Sequence, residues 1–273
     1  MKTREAVRLA CIGGGKMGEA LIRGLLGSGA FQPDQICVAD PDPIRREVVQ
    51  KACGVRAYAD SREAVRRAGI CLLAVKPQDM ETALLEITES LPKGALVVSI
   101  AAGITTDWLQ ERLGPSRRIV RAMPNAPALV RKGTTGLYFG SGVEDEDKKI
   151  AVRIFETVGI SVVVEKEDHL NLITGLSGSG PGYVFLFLEA LTDAGVYLGL
   201  PRDLSARLAL HTVLGSAHMA MESDKSFVAL KEMITSPGGT TIAALKVMEE
   251  GALRAVILRA VEAASQRSRD LAR

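Results

Sequence analysis

The sequence predicts an α/β fold, a doubly wound parallel sheet followed by an all-helical second part. Three observations carry that prediction. Short apolar runs alternate with helical patterns from Arg8 to Pro124. Those runs are apolar at consecutive positions, as strands buried on both faces of a parallel sheet must be. From about Glu167 onward the β-branched runs stop and helical periodicity takes over.

The elements follow in order. Residues 8–12 form a short apolar strand that ends in glycines. Residues 17–26 place Met17, Ala20, Leu21 and Leu25 at near-helical spacing. QICVAD (35–40) is a second strand, 43–53 a helix and 54–58 a short strand. Residues 61–68 read as a helix with Ser61 as its N-cap. Residues 70–75 are a continuous apolar strand running into Lys76-Pro77, and 78–90 a helix. Residues 95–102 are another buried strand, 106–113 a helix, and 118–123 a strand ending at Pro124. Between 134 and 165 the pattern loosens, with 135–139 and 161–165 read as edge strands around a helix at 147–158. Helices are then expected over 183–198, 204–221, 227–234, 241–249 and 253–272, punctuated by Gly199-Leu200-Pro201 and Ser236-Pro237-Gly238-Gly239.

The domain boundary falls at Lys166, giving domains 1–166 and 167–273. The second is small, yet YVFLFLEAL and RLALHTVLGSAHMAM are apolar around most of their circumference. Such helices need burial on more than one side, and a small bundle offers little interior. This domain is expected to pack against a second copy of itself, making the protein a homodimer at least.

The 273 residues suit one large or two modest domains. Apolar residues make up 47% and charged residues 24%, which are globular proportions. The net charge of +2, from 34 basic and 32 acidic residues, carries no signature of a nucleic-acid or polyanion binder. No apolar run approaches the ~18 residues of a membrane span. The opening MKTREAVRLACIGGG has too short an apolar stretch for the ~7–15-residue core of a signal peptide. A cytoplasmic protein is expected, with neither nucleic acid nor membrane as partner. Cys11, Cys37, Cys53 and Cys71 form no CxxC pair and read as small buried hydrophobes, not as a disulfide or zinc framework. With only His169, His211 and His218 besides, no metal site is expected.

CIGGGKMG holds Gly13-x-Gly15-x-x-Gly18 between the first strand and the first helix. Gly13 permits the tight turn, Gly15 lets the backbone approach a pyrophosphate, and Gly18 lets the helix pack closely. The helix N-terminus offers free N–H groups and positive dipole to the phosphates. This is a Rossmann-like dinucleotide site, and Ile12, Lys16 and Met17 complete its candidate residues. Asp40 ends the second strand, where an acid bonds the ribose hydroxyls and disfavours a 2′-phosphate. Arg45 and Arg46 follow, either facing solvent or contacting that phosphate. The cofactor expected is NAD(H), with NADP(H) as the alternative.

Ligands of such sheets bind at the C-terminal ends of the strands. Three segments end there: Ala74-Val75-Lys76-Pro77, Ala101-Ala102-Gly103, and Met123-Pro124-Asn125. Small residues at Ala101, Ala102 and Gly103 admit a flat nicotinamide ring. Lys76 meets a cofactor phosphate or ribose, meets a substrate carboxylate, or is a surface lysine. Asn125, between prolines on a stiff backbone, is an oriented site amide or a plain rigid turn.

In the second domain, Thr235-Ser236-Pro237-Gly238-Gly239-Thr240-Thr241 precedes a helix. Its backbone N–H groups suit an anion such as a carboxylate, although Thr240 or Thr241 can equally be a simple N-cap. SGSGPGY (177–183) also opens a helix, and its small residues suit close chain packing.

Taken together, the chain resembles the Δ1-pyrroline-5-carboxylate reductases, the last enzymes of proline biosynthesis. The resemblance spans Ile12 to Ala272. It rests on IGGGKMGEAL (12–21), AVKPQ (74–78), SIAAGI (99–104), MPNAPALV (123–130), TGLSGSGPGYVF (174–185) and ITSPGGTTIAAL (234–245). The last two are specific to the family. The chain departs from it at Gly182, usually alanine, and at Asp40, often serine or another neutral residue in members that use NADPH. The resemblance implies a Rossmann domain plus a helical dimerisation domain, and an active site completed across the dimer. The cofactor loop comes from one subunit and the 236–241 loop from the other. Such dimers commonly assemble into decamers.

The implied reaction is hydride transfer from reduced nicotinamide to the C=N carbon of the cyclic imine, giving L-proline. Backbone N–H groups of Gly239, Thr240 and Thr241 are expected to hold the substrate carboxylate, with Ser236 nearby. The Thr241 hydroxyl would hydrogen-bond the imine nitrogen as it becomes an amine. Glu167 resembles a family position close to the substrate. Two rival readings stand beside this one. A β-hydroxyacid dehydrogenase shares the glycine-rich opening but needs a lysine early in its second domain, and none occurs between Lys166 and Lys225. A non-catalytic NAD(P)-sensing protein has no need of the second anion loop.

Overall fold

The structure is a computed structural model that describes residues 9–271. Arg8, Ala272 and the opening segment read for a signal peptide lie in part or wholly outside those residues. Eight strands form one sheet in the order β3-β2-β1-β4-β5-β6-β7-β8. They are β1 (Leu9–Ile12), β2 (Ile36–Ala39), β3 (Arg56–Tyr58), β4 (Ile70–Leu73), β5 (Leu96–Ser99), β6 (Arg118–Pro124), β7 (Gly133–Phe139) and β8 (Gly159–Val163). The first six run parallel, β7 runs antiparallel to β6, and β8 lies parallel to β7.

Helices cover both faces. They are α1 (Lys16–Gly27), α2 (Pro43–Cys53), α3 (Ser61–Val65), α4 (Met80–Ile87), α5 (Thr106–Leu113) and α6 (Asp145–Glu156). In β4, Ile70 and Leu72 face one core with Leu21, Ile22, Val49 and Phe155, while Cys71 and Leu73 face the other with Val65, Leu84 and Leu109. Alternate side chains of a strand point to opposite faces, so two buried faces make the whole run apolar. Cys11, Cys53 and Cys71 are buried and Cys37 half-buried. Burial pushes the Cys71 thiol up to about 12, so it behaves as a small hydrophobe.

Several local expectations need correction. Residues 135–139 are not an edge strand, because β7 lies between β6 and β8 and buries Thr135 and Leu137. Of the two segments read as edge strands, the second alone is one: β8 ends the sheet opposite β3, with Ile160, Val162 and Val163 exposed. Ser61 does not cap α3. Asp60 does, its carboxylate accepting the Arg62 N–H at 2.9 Å. Pro77 starts a 3-10 turn, Pro77–Asp79, so α4 begins only at Met80.

The remaining helices are α7 (His169–Ile173), α8 (Gly180–Tyr197), α9 (Arg202–Met221), α10 (Phe227–Met233), α11 (Thr240–Glu250) and α12 (Leu253–Asp270). Helix α7 and the π-helical turn Thr174–Gly178 after it are additions to the sequence reading. The chain divides into two compact units. The first runs to Gly178 and includes the end of α12 from Ala263; the second is Ser179–Glu262. In the first unit, Ser268 Oγ donates to Asn171 Oδ1 at 2.9 Å, and Arg269 pairs with Asp168 at 2.9 Å. In the second, α8 and α9 meet where Ser205 Oγ donates to the Thr192 carbonyl at 2.7 Å. Of that unit's described residues, only Thr192, Ser205 and Ala209 are buried. Phe185, Leu186, Phe227, Ile257 and Leu258 are exposed.

Candidate active site

The chain leaves β1 for β2 on one side and later places β4 on the other. The crevice between the ends of β1 and β4 is therefore the topological switch point where ligands of such sheets bind. Gly13 stands in it at φ 102°, with its N–H donated to the Ala39 carbonyl at 2.8 Å. A Cβ on Gly13 would come within 2.7 Å of the Ala74 carbonyl oxygen. A Cβ on Gly18 would strike the Gly13 carbonyl oxygen, so α1 lies against β1 only because that side chain is missing. Gly15, the N-cap of α1, has open space where its Cβ would project. First-turn N–H groups have no intrahelical partner. Bare backbone, unpaired donors and open space together fit a dinucleotide's pyrophosphate. Of the other candidates here, Ile12 is buried, Met17 packs against the core, and Lys16 is exposed.

Asp40 is half-buried just beyond β2. Its Oδ2 accepts the Gly14 N–H at 2.7 Å and its Oδ1 the Asp42 N–H at 2.9 Å. Arg45 donates to the Gly14 carbonyl and pairs with Glu19 at 3.0 Å. Arg46 donates to the carbonyls of Asp40 and Pro41 at 2.8 and 2.9 Å. Both arginines brace the loop and are not plain solvated side chains.

At the neighbouring strand ends, Ala74 and Val75 are half-buried and Pro77 opens the 3-10 turn. Lys76 is exposed, and among the described residues its ammonium has no hydrogen-bond or ion-pair partner. After β5, Ala101 and Gly103 are buried, Ala102 is half-buried, and Gly103 adopts φ 73°. Asn125 is held on both sides. Its Nδ2 donates to the Ser177 carbonyl and hydroxyl at 3.1 Å each, and its Oδ1 accepts the Thr134 N–H at 2.8 Å. Glu167 is likewise engaged by protein, through Thr106 and Arg121.

In the second unit, Gly239 is the N-cap of α11, so neither Thr240 nor Thr241 caps it. Its N–H is given to the Ser236 carbonyl at 3.1 Å, while the N–H groups of Thr240 and Thr241, in the first turn, have no intrahelical partner. Among the described residues the hydroxyls of Ser236, Thr240 and Thr241 have no hydrogen-bond partner. His169 lies on α7, His211 and His218 on α9, all exposed. Among the described residues no cluster of His, Cys, Asp or Glu could hold a metal ion, and no helix is long and apolar enough to cross a membrane.

Sequence reasoning passed over Gly14, Thr106, Arg121 and Ser177. Arg121 carried a readable signal, a charge inside an otherwise apolar strand, which demands a partner when buried. The others acquire their roles only through contacts distant in sequence.

A family model described as pyrroline-5-carboxylate reductase dimerisation matches residues 167–271. One described as NADP oxidoreductase coenzyme F420-dependent matches residues 8–103. The pyrroline-5-carboxylate reductase of Arabidopsis thaliana is 42% identical over 267 residues, covering 98% of this chain and 96% of that protein. The chain belongs to the pyrroline-5-carboxylate reductase family. Membership makes it an NAD(P)H-dependent oxidoreductase. Solved pyrroline-5-carboxylate reductases share its fold. The one from Coxiella burnetii has a TM-score of 0.92 at 39% identity, covering 98% of this chain and 100% of that one. The one from Plasmodium falciparum, with NADP bound, has a TM-score of 0.89 at 33% identity, covering 99% and 100%. In this reductase family chain, the glycine cradle falls in one matched segment and the 236–241 loop in the other.

Proposed function

We propose that this protein reduces Δ1-pyrroline-5-carboxylate to L-proline, the final step of proline biosynthesis. The observation that carries the proposal is near-full-length similarity to pyrroline-5-carboxylate reductases, supported by the side-chain-free turn at Gly13, Gly15 and Gly18 and by the glycine-capped start of α11. The functional division lies at 166/167, with cofactor binding before it and dimerisation and substrate binding after it.

Ile12, Gly13, Gly15, Lys16, Met17 and Gly18 form the cofactor-binding turn, whose bare glycine backbone would take the phosphates. Ala74, Val75, Lys76 and Pro77 line one side of the site, and Ala101, Ala102 and Gly103 the other. When bound, a reduced nicotinamide supplies the hydride that saturates the imine carbon. The chain's own residues bind and orient the imine. The Thr240 and Thr241 N–H groups take its carboxylate, with Ser236 and the bare backbone of Gly239 beside it. The Thr241 hydroxyl hydrogen-bonds the ring nitrogen. A cyclic imine can arrive protonated, so no histidine or cysteine acid is required. Asn125 holds the 177 turn beside β6, on the substrate side. A second copy of the chain supplies the 236–241 loop, so the unit of function is a homodimer, and such dimers assemble further, up to a decamer. The protein works in the cytoplasm.

Asp40 favours a free ribose 2′-hydroxyl over a 2′-phosphate, which makes NADH the preferred reductant. Purified protein mixed with Δ1-pyrroline-5-carboxylate should turn over with NADH and with NADPH, at a higher kcat/KM for NADH. Asp40→Ser should move that ratio towards NADPH by about tenfold, the effect of one charge–charge contact of ~1.4 kcal/mol. Cofactor binding without turnover would overturn the assignment in favour of a nucleotide sensor.

A further inference from the structure

We propose that Glu167 is a positioning residue that fixes the loop between β5 and α5, and with it the nicotinamide side of the cofactor site, by clamping Thr106. The proposal rests on the reductase reading. It replaces a direct substrate contact with an indirect role for the same carboxylate.

The loop carrying Ala101, Ala102 and Gly103 spans the gap from Ser99 to Thr106. It leaves β5 at the same rim as Ala74, because β4 and β5 are parallel neighbours. Its near end is pinned by the sheet. The Ile100 N–H donates to the Leu73 carbonyl at 3.1 Å and the Ala101 N–H to Ser99 Oγ at 3.3 Å. Its far end is pinned by a residue remote in sequence. Glu167 Oε1 accepts the Thr106 N–H at 2.8 Å, and Oε2 accepts the Thr106 hydroxyl at 2.8 Å.

This contact exceeds what helix capping needs. The N-cap of α5 is already Thr105, whose hydroxyl accepts the Trp108 N–H at 3.2 Å. The two-point grip of Glu167 on one residue fixes both the position and the rotation of the helix start. Arg121 completes the clamp. It sits in β6, is 3% exposed, and donates from Nη1 to Glu167 Oε1 at 3.0 Å. A guanidinium buried that deeply needs an anion, and among the described residues Glu167 is the one that pairs with it. One carboxylate therefore ties together β6, the start of α5 and the segment that follows β8. The phosphate cradle at Gly13, Gly15 and Gly18 lies outside this network.

Hydride transfer is sensitive to alignment, and a displacement near 1 Å can cost about a hundredfold in rate. Releasing the clamp should therefore slow hydride transfer while leaving cofactor affinity nearly intact. The test compares wild type with Glu167→Gln, Thr106→Val and Thr106→Ser. The readouts are cofactor Kd by nicotinamide fluorescence, single-turnover hydride transfer with 4-deuterated cofactor, and amide exchange of residues 100–106 in the free protein. Glu167→Gln should slow hydride transfer about tenfold and Thr106→Val about fivefold, with cofactor Kd within about threefold. Thr106→Ser, which keeps the hydroxyl, should stay near wild type, and exchange over 100–106 should rise in Glu167→Gln.

Unchanged hydride transfer in both Glu167→Gln and Thr106→Val overturns the proposal. So does a raised KM for the imine with hydride transfer intact, which would mark a direct substrate contact. Should Glu167→Gln fail to fold, the Thr106 pair decides, because it leaves the Glu167–Arg121 ion pair in place. If wild type itself shows no turnover, the reductase reading fails, and amide exchange still scores the clamp.

Discussion

The two compact units treat apolar side chains in opposite ways. In the first, β1, β4 and β5 are buried along their whole length, and two separate cores flank the sheet. In the second, three described residues are buried while Phe185, Leu186, Ile257 and Leu258 stand in the open. The first unit closes its own core. The second displays an apolar surface far beyond what a monomer tolerates, and that is the mark of a surface made for association. The contrast separates two tasks. Holding a dinucleotide needs a rigid rim that one chain can build, whereas the helical unit needs another molecule to become a packed body.

The sharpest way to break that contrast is a charge on the exposed apolar surface. Phe185→Asp should abolish association and lower kcat/KM about a hundredfold or more, since a carboxylate in an apolar interface costs several kcal/mol, ~3 or above. Light scattering on a sizing column and the reductase assay read this out, and cofactor affinity should survive. An assembly of unchanged mass and activity would show that this surface is not the one used.

A smaller effect sharpens the picture of the first unit. Gly18→Ala forces a methyl against the Gly13 carbonyl and should cost ~1–3 kcal/mol of stability, with weakened cofactor binding. Gly15→Ala projects into open space and should leave Tm unchanged while cofactor affinity falls. Thermal melts and fluorescence titrations of the pair distinguish a packing glycine from a ligand-facing one. Equal losses of stability in both would contradict the geometry.

The smallest expected effect concerns the end of α12. Hydrogen bonds from Arg269 and Asn171 lower the Asp168 carboxyl from 3.8 to about 2. Because the folded value lies below the unfolded one, the stabilisation is present above about pH 4 and is lost as pH falls towards 2. The pair is largely exposed, with side chains 38% and 57% accessible. Asp168→Asn should therefore cost at most ~1 kcal/mol near neutral pH. Denaturant melts of variant and wild type should draw together as pH falls through 2 and converge below it. A gap that persisted there would mean that the lost charge is not the cause.

The legible parts of the molecule are those with local causes. The strand ICLL at 70–73 could be read because both of its faces are buried, which leaves no polar position to confuse the pattern. The glycine loop could be read because close approach of backbone to backbone allows only glycine at Gly13 and Gly18. The illegible parts depend on distant partners. Residues 135–139 looked like an edge because Thr and Gly interrupt the run, yet β7 is interior because β8 returns beside it. The acid that caps α3 was missed by one position, since Asp60 and Ser61 are both competent caps and only the entry angle of the chain selects between them.

From its residues alone, this protein is committed to an alternating α/β half with a dinucleotide loop, a helical half with apolar surface to spare, and a glycine-threonine turn suited to an anion. Each follows from periodicity or from the steric demands of single residues, both properties of short stretches of chain. The tertiary structure decided the partners. It tied Glu167 to Thr106 and Arg121, Asn125 to Ser177, and Asp40 to Gly14. Hydrogen bonds and ion pairs act over about 3 Å whatever the separation along the chain. Their pairing is therefore set by how the sheet and its helices assemble.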